Sequence, residues 1–299
     1  MKVLVAGWFS FEQMGATAGD LFARDLLCEW LEQADIMHDV AAAAPFTGGV
    51  DWQRVIPEEY THVVFVCGPF GNGWPITEFL PRFASSRLVG VNLSMLESLE
   101  TWNPFDLLLE RDSSRFVRPD ITFLSHQPKV PVVGVVLVHP QKEYGSKAMH
   151  REANSAVRRL LDSREVSSVT IDTRLDDNST GLRTAREVES LIARMDVVVT
   201  TRLHGIVLAL KNGVPVVAID PIAGGAKIKR QVETIRWPVV FTVDSIEEAK
   251  LEEALSYCLT DDARRQAQAI GSLARNRLET VRTDFLNEFA TFPNGRGDC

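Results

Sequence analysis

The sequence predicts an α/β protein made of two Rossmann-like domains that face each other across a cleft. Apolar runs of strand length alternate with amphipathic stretches along all 299 residues, and this alternation is typical of βαβ units with parallel sheets. Each half contains about five such runs, and the polar, proline-containing segment 125–131 separates the halves. We therefore expect one domain over 1–127 and another over 128–299. One continuous doubly wound sheet is the alternative.

Strands are predicted where a short apolar run lies between turn residues, and helices where apolar residues recur at helical spacing. The predicted strands lie near 2–7, 38–43, 61–67, 87–93, 105–110, 131–138, 166–172, 196–201, 214–219 and 239–243. The predicted helices lie near 18–34, 51–57, 75–84, 94–101, 147–163, 183–195, 205–212, 226–235, 245–258 and 261–289, the last of which could be broken.

Composition and charge exclude several classes of function. The hydrophobic content of 45% and a charged content of 24% are those of a globular protein. A net charge of -8 argues against general nucleic-acid binding, and no apolar run has the length of a membrane span. The four cysteines are far apart and lack metal-ligand spacing. We expect a cytoplasmic protein with reduced thiols, no metal and no cofactor.

The segment 197–220 carries the strongest functional pattern. Arg202 and His204 directly follow an apolar strand and precede Gly205 and a helix that is apolar nearly all round. A buried helix amino terminus leaves N–H donors that need a partner, and its dipole favours an anion. An arginine can hold phosphate or carboxylate with two hydrogen bonds, and a histidine can exchange a proton near neutral pH. The other interpretation is a structural arginine–aspartate pair with a satisfied histidine.

A second cationic element follows the next strand. Gly224 and Gly225 precede Lys227, and adjacent glycines let the backbone approach a ligand closely. Parallel strands bring their carboxyl ends to one edge of a sheet, where open α/β sheets bind ligands. We therefore expect Arg202, His204 and Lys227 to gather there around a phosphate, although a solvated lysine on a flexible loop would show the same pattern.

In the first half, Gly15, Gly19 and Asp20 lie where the first long helix begins. Their spacing matches neither the dinucleotide fingerprint nor a P-loop. A ligand-facing loop and a capped helix start are about equally supported. Similarly, the charged run 110–114 after an apolar strand could face the cleft or form an ion-paired hinge between the domains.

Aromatic residues near glycine turns offer another type of contact. Trp8, Phe70 and Trp74 could stack on the face of a sugar, although such residues more often belong to the core or its rim.

Several motifs together resemble a known family. The most specific is Thr201-Arg-Leu-His204, followed by an apolar helix, Gly213-Val-Pro215, a strand and Lys227. Shorter matches in the first half are Gly19-Asp20, Arg111-Asp112-Ser113 and Pro119-Asp120. With these motifs the chain resembles the polysaccharide pyruvyl transferase family over residues 1 to about 245.

The resemblance implies a glycosyltransferase-B-like pair of Rossmann domains. It also implies phosphoenolpyruvate as donor and a sugar of a glycan, or of its lipid-linked precursor, as acceptor. The implied product is a pyruvate ketal, with phosphate released. It places the acceptor side on the first domain and the donor site on the second. The residues that match the donor site are Arg202, Leu203 through its backbone, His204 and Lys227, with Gly205, Gly224 and Gly225 beside them. The first domain contributes Gly15, Gly19 and Asp20 to substrate binding.

The chain also departs from the family pattern. Members often carry asparagine two residues before the Gly-Asp pair, where this chain has Thr17. Many have an arginine after the first strand of the second domain, where this chain runs Val138-His-Pro-Gln-Lys142. His139, Lys142 or Arg151 could supply the missing cation.

Three hypotheses follow from the sequence. In the first, a protonated His204 is the general acid of pyruvyl transfer, and Arg202 and Lys227 neutralise the donor's charge. In the second, the same phosphate site serves a nucleotide-sugar-dependent glycosyltransferase. In the third, the chain is a non-catalytic relative that binds a phosphorylated glycan. Association with the inner face of a membrane and the oligomeric state are left open.

Overall fold

The structure, a computed structural model, describes residues 1–140 and 142–290. By their internal contacts these residues form two compact units, Met1–Pro128 and Lys129–Cys299. Each unit contains a five-stranded parallel sheet among its described residues. The predicted α/β class is confirmed, with one Rossmann-like sheet in each half of the chain.

The sheet of the amino-terminal unit has the strand order β2-β1-β3-β5-β7, and neighbouring strands are parallel. Two very short strands, β4 and β6, pair separately. In chain order the elements are β1 Lys2–Gly7, α1 Ala18–Gln33, β2 Met37–Val40, β3 His62–Val66, β4 Pro69–Phe70, α2 Ile76–Arg82, β5 Arg87–Val91, β6 Ser94–Met95 and β7 Leu107–Leu109.

Both faces of this sheet are covered. Successive side chains of β1 point to opposite faces, and they enter two different apolar clusters. Leu4 and Ala6 join one cluster with Phe65 and Phe79, whereas Val3 and Val5 join another with residues of α1. This burial on both sides explains why β1 reads as a continuous apolar run and not as an alternating one.

The sheet of the carboxyl-terminal unit has the order β12-β11-β10-β8-β9, again with parallel neighbours. Its central strands are buried along their whole length. The elements are β8 Val132–Val136, α3 His150–Asp162, β9 Ser167–Thr170, α4 Ala185–Ile192, β10 Val197–Thr200, α5 Leu203–Lys211, β11 Val216–Asp220, α6 Lys227–Ile235, β12 Val240–Thr242, α7 Glu248–Cys258 and α8 Asp261–Ala290.

Two of the predicted helices are wrong. The segment 51–57 forms a turn closed by hydrogen bonds to the Asp51 carbonyl, and only a single 3-10 turn, Pro57–Glu59, follows it. The segment 94–101 begins with β6, which pairs with β4, and continues in turns. In both places the few apolar residues at helical spacing belong to short loops, and their side chains pack against the apolar cluster on the sheet. The terminal helix α8 is unbroken over Asp261–Ala290.

Among the described helices, none combines the length and the apolar character needed to cross a membrane.

Candidate functional site

A cavity of about 220 Å³ lies at the carboxyl edge of the second sheet. From β8 the chain passes to β9 on one side and then returns to β10 on the other, so the strand order reverses between β8 and β10. Ligands of open α/β sheets bind at such switch points. The cavity is lined by Val138, Thr201, Arg202, Leu203, His204, Asp220, Pro221, Ile222, Lys227 and Ile228.

Two buried threonines build the turn between β10 and α5. The Thr200 hydroxyl donates to the Val136 carbonyl at 2.7 Å and accepts from the Arg202 amide at 2.9 Å. The Thr201 hydroxyl accepts from the Val138 amide at 2.8 Å. These bonds tie the end of β10 to the end of β8, and they hold the Arg202 backbone in an extended conformation immediately before the helix.

The amino end of α5 is open toward the cavity. The amides of Leu203 and His204 have no acceptor within the described residues, and neither an acidic side chain nor a side-chain cap occupies this end. Helix amino ends carry partial positive charge and free N–H donors. The first turn of α5 is therefore ready to accept an anion.

Gly205 has a different role from the ligand contact that we predicted. It does not line the cavity, and its amide donates to the Arg202 carbonyl at 3.0 Å. A Cβ on this residue would overlap the Thr200 hydroxyl and lie 3.0 Å from Cγ1 of Val136. The glycine is needed because α5 packs tightly against the strands that carry the site.

Arg202 supplies the main cation of the cavity. Its side chain is 23% exposed, and the nearest carboxylate oxygen, Oδ1 of Asp172, lies 3.8 Å from Nη1. In the part of the chain that the structure describes, Nη1 is buried and has no hydrogen-bond partner. Burial lowers the pKa of the guanidinium, and the nearby Asp172 charge offsets this only in part. A buried donor without a partner is costly, so an anionic ligand would satisfy it.

Asp172 already has its own partners. Its carboxylate accepts from the amides of Arg174 at 2.9 Å and Ser179 at 3.2 Å, and from the Ser179 hydroxyl at 3.0 Å. Nε2 of His139 lies 3.1 Å from the same carboxylate. Burial alone would raise the pKa of Asp172, but these hydrogen bonds outweigh it and lower the pKa to about 2. Asp172 therefore competes only weakly for Arg202.

Asp220, which lines the cavity, also makes internal hydrogen bonds. It is fully buried at the end of β11. Its oxygens accept from the amides of Ile222 at 3.2 Å, Ala226 at 2.7 Å and Lys229 at 3.0 Å. The Asp220 carboxylate thus offsets the positive charge at the amino end of α6. The amino end of α5 has no such partner among the described residues and can bind an external anion.

Lys227 and His204 complete the polar lining. Lys227 is the first residue of α6, is exposed, and has its ammonium 5.7 Å from the ring centre of Tyr144. His204 is exposed and makes no hydrogen bond or ion pair within residues 1–140 and 142–290. The structure thus brings Arg202, Leu203, His204 and Lys227 to one cavity.

Gly224 and Gly225 do not line this cavity, although we predicted substrate contacts for both. Both residues have positive φ angles, 76° and 81°. The Gly224 amide donates to Asp244 at 3.1 Å, and the Gly225 amide to the Ile222 carbonyl at 2.8 Å. The two glycines form the turn that delivers Lys227 to the start of α6.

The amino-terminal unit has a comparable cavity at its own switch point, between the ends of β1 and β3. Its volume is about 460 Å³. The predicted Gly15, Gly19 and Asp20 line it, together with Trp8, Met14, Thr17, Cys67, Gly68, Pro69, Arg111 and Asp120. The first-half motifs are therefore brought together although they are distant in sequence.

Asp20 serves as a helix cap at this cavity. Its carboxylate accepts from both the amide and the hydroxyl of Thr17 at 2.7 Å. Gly15, with a φ angle of 73°, forms the turn before the helix. The helix start is therefore capped and also lines the cavity, and the contact of these residues with a ligand stays a prediction.

The charged residues after β7 are paired within the unit. Arg111 contacts Asp120 at 2.9 Å, Asp112 at 3.2 Å and the Ser94 hydroxyl. Burial alone would lower the pKa of Arg111, but its carboxylate partners raise it. Glu110 is fully buried and accepts from Arg115 at 2.9 Å.

Sequence reasoning missed three residues in or near this cavity of the second unit, namely Asp172, Asp220 and Tyr144. An aspartate at the carboxyl end of a strand was a usable signal for the first two. Among the suggested substitutes for the missing arginine, His139 approaches the site through Asp172, and Arg151 does not line the cavity. The side chain of Lys142 lies outside the described residues.

The sheet orders and the cationic cavity define a two-unit α/β protein with the geometry of an anion site in its second unit. Residues 107–221 match the family model described as Polysaccharide pyruvyl transferase, which confirms the family resemblance over that segment. The match includes Arg111, Asp120, Arg202 and His204; Lys227 follows it. No curated protein matches the sequence.

Several solved structures resemble the chain at low scores. The UDP-GlcNAc 2-epimerase from Methanocaldococcus jannaschii is 10% identical, with a TM-score of 0.34 and coverage of 92% of this chain and 100% of that one. A putative UDP-N-acetylglucosamine 2-epimerase from Listeria monocytogenes is 12% identical, with a TM-score of 0.32 and coverage of 96% and 97%. The spinosyn rhamnosyltransferase SpnG complexed with thymidine diphosphate is 13% identical, with a TM-score of 0.32 and coverage of 91% and 95%. The fold class follows from the sheet orders themselves.

Proposed function

We propose that the chain is a pyruvyl transferase that moves the pyruvyl group of phosphoenolpyruvate onto two hydroxyls of a glycan sugar. The observation that carries the proposal is the buried Nη1 of Arg202, which has no hydrogen-bond partner among the described residues and shares a cavity with the free amides of Leu203 and His204. These are donors without acceptors in the described residues. An oxyanion of the donor satisfies all of them at once.

Size and charge favour a small donor over a nucleotide sugar. The cavity of about 220 Å³ is smaller than the roughly 300–1,000 Å³ of pockets that hold drug-sized ligands. Phosphoenolpyruvate has a three-carbon skeleton with a phosphate and a carboxylate. Arg202 and Lys227 match these two anionic groups, and the carboxylates of Asp172 and Asp220 are already engaged by hydrogen bonds from backbone amides.

The reaction balances without an additional reactant. The methylene carbon of phosphoenolpyruvate accepts a proton and becomes a methyl group, which leaves positive charge at C2. One sugar hydroxyl attacks C2, the carbon–oxygen bond to phosphate breaks, and a second hydroxyl closes the ketal. The two hydroxyls lose two protons in total: one replaces the proton delivered to the methylene carbon, and the other leaves with hydrogen phosphate.

His204 is the proposed general acid. It lines the cavity, is exposed, and has no hydrogen bond to another described residue that would hold it away from a ligand. A neighbouring phosphate favours its protonated form. Arg202 and Lys227 stabilise the charge on phosphate as the carbon–oxygen bond breaks, and fixed cations of this kind act as electrostatic catalysts.

We place the acceptor on the amino-terminal unit. The acceptor is a sugar of a glycan or of its lipid-linked precursor, handled at the inner face of the membrane. The cavity of about 460 Å³ at the switch point of this unit supports the assignment, because Asp20 and Asp120 line it with hydrogen-bond acceptors for sugar hydroxyls.

The substitution His204→Ala tests the mechanism. General acid catalysis contributes about 10²–10⁴-fold to a rate, so we expect turnover to fall by at least about 100-fold while the donor dissociation constant stays within about tenfold. Calorimetry measures the binding of phosphoenolpyruvate. Phosphate release and mass spectrometry of the product measure turnover on a panel of neutral p-nitrophenyl hexopyranosides. His126→Ala, an exposed histidine outside both cavities, is the control.

Near-normal turnover of His204→Ala would refute the assigned role. Tight binding of nucleotide sugars with no binding of phosphoenolpyruvate would indicate a glycosyltransferase. Binding of phosphoenolpyruvate without phosphate release, whichever acceptor is supplied, would indicate a non-catalytic relative.

A further inference from the structure

Another cavity of the amino-terminal unit, of about 580 Å³, lies beside the ends of β1 and β2. We propose that it binds a neutral sugar residue of an oligosaccharide, with the sugar ring stacked on Trp74. Only the identification of this ligand as the acceptor glycan rests on the proposed function. Carbohydrate binding at this place is argued from the cavity itself.

Two tryptophans give the cavity its aromatic lining. Trp74 is 65% exposed and makes no ring contact with another described aromatic residue. Trp52 is 8% exposed and packs edge-on against Phe11 at 5.7 Å and Phe79 at 5.3 Å, so its position is fixed by the core. The exposed indole of Trp74, in a cavity that the fixed Trp52 also lines, suits the flat apolar face of a pyranose ring.

Unpaired polar groups converge on the same space. The side chains of Glu12, Gln13, Gln53 and Glu78 line the cavity and have no hydrogen-bond partner among the residues that the structure describes. Carboxylates accept hydrogen bonds from hydroxyls, and amides both donate and accept. Hydroxyls of a sugar offer complementary donors and acceptors, and the two tryptophans add aromatic surface beside these polar groups.

The walls are held in place before a ligand arrives. Arg82 donates to the carbonyls of Trp52 at 3.0 Å and Val55 at 2.9 Å, which pins this loop to α2. The Asp51 carboxylate accepts a hydrogen bond from the backbone amide of Gln53 at 2.9 Å. Binding here requires little ordering of the backbone, and such preorganisation reduces the cost of association.

The charge of the cavity distinguishes it from the donor site. Carboxylates of Glu12, Asp51 and Glu78 line it, and no lysine or arginine of the described residues does. Asp51 is partly neutralised by Arg54 at 3.3 Å. The remaining negative charge repels phosphoenolpyruvate and other anions, so the saccharide proposed for this cavity is a neutral and not an acidic one.

The neighbouring cavity bears on the number of sugar residues in the bound saccharide. Glu12 and Gln13 line this sugar site, whereas the next residues, Met14 and Gly15, line the cavity of about 460 Å³. One loop between β1 and α1 therefore separates two adjacent sites within one unit. The acceptor is accordingly an oligosaccharide, with one sugar at Trp74 and another in the neighbouring cavity.

The test measures binding of neutral oligosaccharides by calorimetry. The probes are tetrasaccharides of glucose, galactose, mannose and N-acetylglucosamine. We expect at least one to bind, Trp74→Ala to weaken it by about tenfold, and Trp74→Phe to weaken it by less than about threefold because the ring is kept. Trp30→Ala is the control, since Trp30 is 40% exposed on α1 and lines none of these cavities.

Each outcome decides the proposal. It is overturned if none of these oligosaccharides binds the wild-type protein, or if Trp74→Ala binds the best of them as the wild type does while remaining folded. Phosphoenolpyruvate binding is measured on the same variants and should not change. If saccharide binding depends on Trp74 but phosphoenolpyruvate does not bind, the proposed function fails and this inference stands; if pyruvyl transfer occurs without dependence on Trp74, only this inference fails.

Discussion

Replacing Arg202 by glutamine separates donor binding from folding. The guanidinium is largely buried, its Nη1 lacks a hydrogen bond within the described residues, and burial lowers its pKa. The ligand-free protein therefore gains little from the positive charge. Asp172 keeps its hydrogen bonds from Arg174 and Ser179 in the variant, so no buried carboxylate is left without partners. We expect the free energy of unfolding without ligand to change by about 1 kcal/mol or less.

The effect on the donor should be much larger. A hydrogen bond to a charged group contributes about 1.5–3 kcal/mol, which corresponds to a roughly 10- to 150-fold weaker dissociation constant for phosphoenolpyruvate. At a donor concentration about 100 times the wild-type constant, ligand stabilises the wild type by about 2.7 kcal/mol. A 100-fold weaker variant would retain only about 0.4 kcal/mol of this stabilisation under the same conditions.

Calorimetry measures the dissociation constant, and denaturant unfolding with and without phosphoenolpyruvate measures the stabilisation. Arg174→Gln is the matched control, because Arg174 lies on the loop beside Asp172 but does not line the cavity; its donor affinity should stay within about twofold. The reasoning is refuted if Arg202→Gln binds the donor like the wild type. It is equally refuted if the ligand-free variant loses more than about 2 kcal/mol, which would make Arg202 a structural ion-pair partner.

Three further predictions concern the same unit. Gly205→Ala should lower the free energy of unfolding by about 1–3 kcal/mol in denaturant titrations, because its Cβ overlaps the preceding strand, whereas Gly73→Ala, which meets no neighbouring atom, should have a much smaller effect. The pKa of Asp172 is lowered to about 2, so its contribution of about 2 kcal/mol is present above pH 4 and lost as the pH falls toward 2; Asp172→Asn should remove that part of the pH dependence of unfolding. Lys227→Ala should weaken phosphoenolpyruvate binding by about three- to tenfold in calorimetry, and an equal loss in Lys229→Ala would contradict the assignment.

Local patterns in the sequence predicted most of the fold. Continuous apolar runs such as 197–200 and 216–219 belong to strands buried on both faces. The failures at 51–57 and 94–101 have one cause: short loops that pack on a sheet carry apolar residues at spacings that imitate a helix. The hydrogen bonds that distinguish them are non-local, as between Arg82 and the Trp52 carbonyl.

The candidate site was predictable to a similar degree. Arg202, His204 and Lys227 gather because parallel strands end at a common edge. The glycines were harder to interpret, because a glycine needed for ligand access and one needed for packing look alike in sequence. Gly205 is of the second kind. Asp172 was missed because several of its partners are not adjacent in sequence: Ser179 lies seven residues further along and His139 lies 33 residues before it.

The amino ends of two helices, α5 and α6, meet at the donor cavity, and only one of them is vacant. The Asp220 carboxylate accepts hydrogen bonds from the amides at the amino end of α6, so only the amino end of α5 is left for a bound anion. We therefore predict that the cavity binds one phosphoryl group, in a single orientation. In a protein without this aspartate, the amino ends of both helices would be open to an anion, and the ligand could bind in either orientation.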